Sequence, residues 1–163
     1  MFTIVGLIVA VAAALILLVG VLHVGGSGME SSKASNAAAE LAQLELGIQS
    51  LYSAQASFSS VTNTVALAAG NSVVPANMNP GTAGSIINEW GGTVTIAAGT
   101  VATQFTITET SVPQDACATL VTKVSNPVSI TIAGTAVTFP VDVGAVTAAC
   151  TSSSNTLVFT FGH

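Results

Sequence analysis

An uninterrupted apolar run at the start of the chain limits the folds open to it. Residues 1–24, MFTIVGLIVAVAAALILLVGVLHV, contain no Asp, Glu, Lys or Arg. As an α-helix this run would be about 36 Å long, which exceeds the roughly 30 Å of a bilayer's hydrocarbon core. No basic residue precedes it, unlike in a cleavable secretory signal. We therefore predict a hydrophobic helix over residues 1–24 that can span a membrane.

Glycines follow this run, and a second helical segment comes after them. Gly25, Gly26 and Gly28 each disfavour a helix by about 1 kcal/mol relative to alanine, so residues 25–28 are predicted to be melted or extended. Residues 29–55 are predicted to form an amphipathic helix. Its apolar positions are Ala37, Leu41, Leu44, Ile48 and Leu51. Its other faces carry Ser35, Asn36, Glu40, Gln43 and Gln49.

The remaining residues, 56–163, are predicted to form one globular head. Residues 56–90 are rich in Ser, Asn, Gly and Pro, which indicates a long connection with one helical turn near 65–69. Beyond Trp90, apolar and polar residues alternate as in strands with one buried face. The predicted strands are 93–96, 104–108, 128–132, 136–139 and 156–161. They predict an antiparallel sheet of four or five strands and an α+β fold, with the long helix packed on the sheet.

A short helix is predicted over about 113–124, with Ser111 and Gln114 as a capping box and Asp115 at its positive end. It carries Cys117, and Cys150 comes just before the last strand. These cysteines are too far apart for a CxxC redox pair, and no histidine is near enough in sequence to complete a zinc site. A structural disulfide, and with it an oxidising compartment, is the favoured interpretation. Two buried free thiols are the alternative.

The scarcity of charge narrows the function. Two basic residues, Lys33 and Lys123, stand against seven acidic ones, so the chain cannot neutralise a nucleic-acid backbone. Only 6% of residues are charged, which favours packing against copies of the same chain or insertion in a membrane. No nucleophile with its base, metal cluster or phosphate loop is recognisable, so neither an enzyme nor a cofactor is predicted. Four acidic residues are interpreted as solvated or capping carboxylates, with a calcium site as the alternative: Glu89, Glu109, Asp115 and Asp142.

Over its whole length the chain resembles the type IV pilins. Within them it is most similar to the type IVb class, which includes the toxin-coregulated and bundle-forming pilins and the thin pilins of conjugative plasmids. The order of three segments resembles the plasmid thin pilins in particular. These segments are Asn88-Glu89-Trp90-Gly91-Gly92, Phe105-Thr106-Ile107 and Val112-Pro113-Gln114-Asp115-Ala116-Cys117-Ala118-Thr119-Leu120.

The resemblance implies the major subunit of a helical extracellular filament that serves adhesion, aggregation or mating contact. Its implied partners are copies of itself, the inner membrane before assembly, a prepilin peptidase, the pilus assembly machinery and a recipient or host cell surface. Met1 would be the processed N-terminus, and Gly25, Gly26 and Gly28 would melt when the subunit leaves the membrane. The residues predicted to pack in the filament core are Phe2, Val5, Gly6, Ala10, Ala13, Ala14, Leu17 and Gly20.

One departure from the family keeps alternatives open. Type IV pilins usually have a glutamate at the fifth mature position, whereas this chain has Val5 and no acidic residue before Glu30. Either this lineage assembles by packing alone, or the chain is a minor or tip pilin. A pseudopilin of a type II secretion system, an archaeal adhesion pilin and a single-pass membrane-anchored extracellular domain are the other structural alternatives.

Overall fold

A computed structural model describes the backbone of residues 4–162 and the side chains of residues 28–162 other than Asn71. The α-helices are α1 (Ile4–Leu51), α2 (Asn63–Ala68), α3 (Gln114–Lys123) and α4 (Val143–Ala149). Two 3₁₀ turns, Gly70–Ser72 and Ala76–Met78, lie in the connection after α2. The strands are β1 (Val94–Ala98), β2 (Gln104–Val112), β3 (Ser129–Ile132), β4 (Thr135–Ala136) and β5 (Asn155–Gly162). The predicted α+β pilin fold is confirmed.

The C-terminal half of α1 packs against the head through one apolar face. Four of the five predicted residues of that face are buried: Ala37, Leu41, Leu44 and Ile48. Leu51 is 40% exposed, because the helix ends there, and Tyr52 in the next position is buried instead. Burying a leucine or isoleucine stabilises a fold by about 1.5–3 kcal/mol, so this face holds the head on the helix.

The helix is continuous through the glycine cluster. Gly25, Gly26 and Gly28 have helical backbone, so the subunit as described lacks the interruption that the sequence predicted at residues 25–28. An unbroken ladder of main-chain hydrogen bonds offsets the entropic cost of three glycines in a long helix. Melting on leaving the membrane is a change between two states and stays a prediction. Among the residues that the structure describes, no helix is long and apolar enough to cross a membrane.

The sheet is antiparallel throughout, in the order β1-β2-β5-β3-β4. Alternate residues of β2 and β5 face the core, as period-two alternation predicts. The predicted hairpin across Gly99 is present, with Ala98 opposite Phe105. The strand predicted at 136–139 is wrong in extent, because β4 contains only Thr135–Ala136.

Aromatic rings form the centre of the core beside the helix. Tyr52 contacts Phe58 at 5.4 Å between ring centroids, and Phe58 contacts Phe105 at 4.8 Å. Phe105 in turn lies 5.7 Å from Phe161, and Phe159 continues the series. Such tilted pairs are worth about 0.5–1.5 kcal/mol each beyond the area they bury. The end of α1, the following loop and the two central strands are thereby joined.

Asn63 closes the free edge of β1. Its Oδ1 accepts a hydrogen bond from the Ile96 N–H at 2.7 Å, and its Nδ2 donates to the Val94 carbonyl at 2.8 Å. Thr62 adds an isolated bridge to Ala97. An open strand edge is a template for pairing with another chain, and this side chain occupies it.

The start of α3 and the existence of α4 differ from prediction. Ser111 has φ of 59° and lies where the β2–β5 register shifts, and α3 begins at Gln114 without a side-chain cap. The predicted capping box is therefore wrong, because its first residue belongs to the end of a strand. Helix α4 was not predicted, since its valines, glycine and threonine are weak helix formers. Its one sequence signal is Asp142, whose Oδ1 accepts from the Gly144 N–H at 2.8 Å.

Candidate functional site

The two cysteines join the helices that flank the C-terminal part of the sheet. Cys117 in α3 and Cys150 at the end of α4 form a disulfide with 5.9 Å between their Cα atoms. Both are buried, so the bond lies inside the head. The predicted pairing is confirmed, and free thiols are excluded at these positions. Helix α3 also packs on α1, where the Lys123 ammonium donates to the Ser35 hydroxyl at 2.8 Å.

The face of α1 opposite the core is exposed and mixes small and apolar side chains with polar ones such as Ser32, Asn36 and Gln43. Met29 is 65% exposed and Leu46 64% exposed. Ala39 and Ala42 are exposed between them, on the same side of the helix. These four residues, called here the outer face of α1, lie on the half of the helix turned away from the core, and Ala39, Ala42 and Leu46 are spaced by three and four residues.

A cluster of carboxylates lies where α1, the connection after α2 and β2 meet. Glu40 on α1 is 8% exposed and Glu109 on β2 is 1% exposed. The Asn77 carboxamide donates to Glu40 Oε1 and lies 3.5 Å from Glu89 Oε1. Asn88 Nδ2 donates to the Thr110 carbonyl at 2.9 Å and reaches Glu109 Oε2 at 3.4 Å. We call Glu40, Glu89 and Glu109, with the two asparagines, the acidic cluster.

Burial changes the acidity of two of these groups. Removal from water raises the pKa of Glu40 to about 7, with further upward contributions from the neighbouring Glu89 carboxyl and a downward one from Asn77. Burial likewise raises the pKa of Glu109 to about 7, opposed by the bond from Asn88. Glu40 on α1 and Glu109 in the head therefore titrate near neutral pH instead of in the acid range.

Both burials correct the interpretation from sequence. Glu40 was placed on a polar face and Glu109 among solvated or capping carboxylates, yet the sequence held a signal for each. Glu40 lies three residues after Ala37 and four before Leu44, which is the spacing of the buried face. Glu109 continues the alternation of Phe105 and Ile107 into the core.

Trp90 joins the acidic cluster to Glu30, near the first residues of α1 whose side chains are described. Its indole Nε1 donates to Glu30 Oε2 at 2.7 Å, and the ring packs partly buried against the core. The Lys33 ammonium lies 3.5 Å from Glu30 Oε1, one turn along the helix. Trp90 is thus an anchor between its loop and α1.

The four acidic residues considered as a calcium site are not all brought together, because Glu89 and Glu109 lie in the acidic cluster and the two aspartates lie elsewhere. Asp142 caps α4 and Asp115 lies on the exposed first turn of α3. Among the described residues, no three or more His, Cys, Asp or Glu side chains are arranged to hold a metal ion. A cavity of about 210 Å³ does adjoin the acidic cluster. Its lining is Glu40, Asn77, Met78, Ile87, Asn88 and Glu89.

The predicted filament-core residues fall outside what the structure describes in full. Met1 and Phe2 lie outside the described residues. For the others only helical backbone is described, so their packing stays a prediction: Val5, Gly6, Ala10, Ala13, Ala14, Leu17 and Gly20.

Comparison with known protein families gives a match that covers the head and the C-terminal part of α1. A family model described as PilS N terminal matches residues 31–162. The match spans most of the chain and includes the amphipathic half of α1, the sheet and the disulfide. No curated protein matches the chain.

Proposed function

The chain belongs to the PilS family of type IV pilins, and from this premise we propose that it is the major subunit of a type IVb pilus. The observation that carries the proposal is the family match across residues 31–162. Type IV pilins are structural subunits and not catalysts, which agrees with the absence of a recognisable catalytic motif in the sequence. In this proposal the filament is extracellular and serves adhesion, cell aggregation or conjugative contact.

Three features support polymerisation. The outer face of α1 exposes Met29 and Leu46, which a neighbouring copy can cover. Only 6% of the residues are charged, so repulsion between neighbouring copies is weak. A contact that each copy repeats on the next through a screw operation does not close, and therefore gives a filament.

We further propose a route to the filament. The apolar residues 1–24 hold the subunit in the inner membrane, a prepilin peptidase processes it to Met1, and the assembly machinery then extracts it. Residues 25–28 melt during that step. In the filament, Gly6, Ala10 and Ala13 permit close approach of neighbouring helices, since lipid and protein core are equally apolar and packing decides the balance.

Val5 supports a second candidate, a minor or tip pilin, because the family's usual glutamate is missing from that position. The two roles differ in copy number. A major subunit would account for most of the protein in purified filaments, whereas a minor pilin would be present in a few copies of another subunit's filament.

The deciding experiment is electron microscopy of filaments sheared from cells that produce this chain, with mass spectrometry of their subunits and sequencing of the N-terminus. Filaments built mainly of this chain, starting at Met1, support the major pilin. Filaments of another subunit with traces of this chain support the minor pilin. A chain that stays in the membrane without filaments contradicts both and favours a membrane-anchored domain, and a chain found only with secretion machinery favours a pseudopilin.

A further inference from the structure

Only one oxygen of the buried Glu40 carboxyl has a hydrogen-bond donor in the described structure, namely Oε1, which accepts from Asn77. Glu40 Oε2 is fully shielded from solvent, and no hydrogen-bond donor reaches it. The Glu89 carboxyl is held close by, because Asn77 Nδ2 donates to Glu40 Oε1 and lies 3.5 Å from Glu89 Oε1, and a carboxylate is another acceptor. Two acceptors in contact repel each other unless one of them carries a proton. One proton shared by the two carboxyl groups would remove this repulsion and supply the donor that Glu40 Oε2 lacks.

Both lysines of the chain, Lys33 and Lys123, are engaged elsewhere in the described structure. From α1, Glu30 and Lys33 lie on the preceding turns, where they pair with each other, and Glu45 lies on the following turn beside Gln49. From β2, Glu109 adds a third carboxyl and raises the repulsion. From α3, Lys123 reaches α1 at Ser35 instead. From the connection after α2, the charged group is Glu89, and the neutral donors are Asn77 and Asn88.

From this arrangement we propose that Glu40 and Glu89 form a proton-sharing latch that fastens residues 76–92 to α1 and opens as the pH rises through neutrality. Asn77 donates to both carboxyl groups and so orients them toward each other. Asn88 ties the same segment to β2 through the Thr110 carbonyl. When the shared proton leaves, Glu40 and Glu89 repel across the contact, and the partly exposed Glu89 swings toward water. The latch forms within one subunit, between α1 and the head, and does not depend on filament formation.

The burial of Glu40 favours its protonated form, in agreement with its pKa of about 7. The opening would therefore occur within a pH range met by extracellular proteins. Residues 76–92 lie on the head surface beside α1, so their release changes the surface that the chain presents to its environment. Residues 76–92 are therefore held less firmly against α1 above neutral pH than below it.

Trp90 provides the readout, because it is the only tryptophan of the chain and follows Glu89 directly. Its fluorescence is measured on the full-length chain in detergent micelles between pH 5 and pH 9. The wild type should show one transition with a midpoint near 7. In a Glu109→Gln background, which removes the other carboxyl group with a pKa of about 7, Glu40→Gln and Glu89→Gln should each abolish it, since an amide fills the donor role without titrating. If one of the two variants fails to fold, the other supplies the test.

Two matched variants serve as controls. Glu45→Gln removes another partly buried carboxyl from the same helix, and Glu109→Gln removes the third carboxyl of the acidic cluster; both should keep a transition. An unchanged transition in Glu40→Gln and Glu89→Gln would overturn the latch.

Discussion

Glu109 is a carboxyl group in a hydrophobic core, and its position makes the stability of the head depend on pH. Its pKa is raised from the ordinary 4.5 to about 7 in the folded state, so between these values the folded chain holds a proton that the unfolded chain has lost. Stability falls with rising pH wherever the folded state binds more protons. The contribution is thus fully present below about pH 4.5 and is lost as the pH rises through 7.

We expect Glu109→Gln to be more stable than the wild type at pH 8, by roughly 1–3 kcal/mol, and to show a flatter dependence on pH. A neutral amide of the same shape can still accept from Asn88. Unfolding by denaturant at pH 5 and pH 8 measures both quantities. Asp115→Asn removes a carboxylate from the exposed surface and should leave the wild-type slope. Parallel slopes for Glu109→Gln and the wild type would contradict the prediction.

The disulfide contributes stability through the loop it closes. Cys117 and Cys150 are separated by 33 residues, and closing a loop of that size removes about 3–4 kcal/mol of unfolded-chain entropy on the chain-entropy model. We expect the double variant Cys117→Ser, Cys150→Ser to lose about that much free energy of unfolding. Reduction of the wild type should give the same melting temperature as the double variant. A melting temperature that neither change lowers would show that packing of α3 alone sets the stability.

Single residues also show where prediction from sequence ends. The spacing of Glu40 and Glu109 places them toward the core, so their burial was available from pattern alone. Their partners were not, because Asn77 is 37 residues from Glu40 and Asn88 is 21 residues from Glu109. The acidic cluster exists only after the connection has folded back onto α1.

At the scale of elements, the strands with clear alternation and α3 were predictable because each buries one face of a regular period. The structure of the connection between α2 and β1 was not predictable in this way. Its structure rests on main-chain bonds such as those from Ile87 N–H to the Met78 carbonyl and from Val94 N–H to the Ile86 carbonyl. Such bonds leave no periodic signal in the sequence, since no regular face repeats.

The approach of this connection to α1 depends on Gly47. A Cβ atom at this position would lie 2.7 Å from the Val73 Cα and 3.1 Å from the Ser72 carbonyl oxygen. We expect Gly47→Ala to destabilise the head by roughly 1–3 kcal/mol, because backbone must move away from the helix. Thermal unfolding of the full-length chain measures the loss.

Gly28 provides the matched control in the same helix. A Cβ there meets no atom within 4 Å, so Gly28→Ala should stabilise α1 by up to about 1 kcal/mol. Opposite signs for the two substitutions distinguish steric contact from helix propensity. If both variants gain stability, the connection can move away from a Cβ atom at position 47 without a measurable loss of stability, which would contradict the prediction.

For the whole molecule, the amphipathic half of α1 has two different sides. One side is the buried face under the sheet, and the other is the outer face with Ala39, Ala42 and Leu46. The sequence predicted the first side from its apolar spacing. It left the second side undefined, because an alanine pattern is equally compatible with solvent and with a neighbouring helix.

The proposed filament gives the outer face a role that one substitution can test. Ala42→Glu places a carboxylate on this exposed face, so the isolated subunit should keep its stability. In a filament the same charge would be repeated in every copy and buried between neighbours without a cation, which costs several kcal/mol per subunit. We expect cells that produce Ala42→Glu to lose filaments while the subunit remains in the membrane fraction, as electron microscopy and immunoblotting measure. Ala83→Glu adds the same charge to an exposed loop of the head and should leave filaments intact. Normal filaments with Ala42→Glu would show that this side of α1 faces solvent in the assembly, and that contacts between neighbouring subunits use other surfaces of the head and residues 1–24.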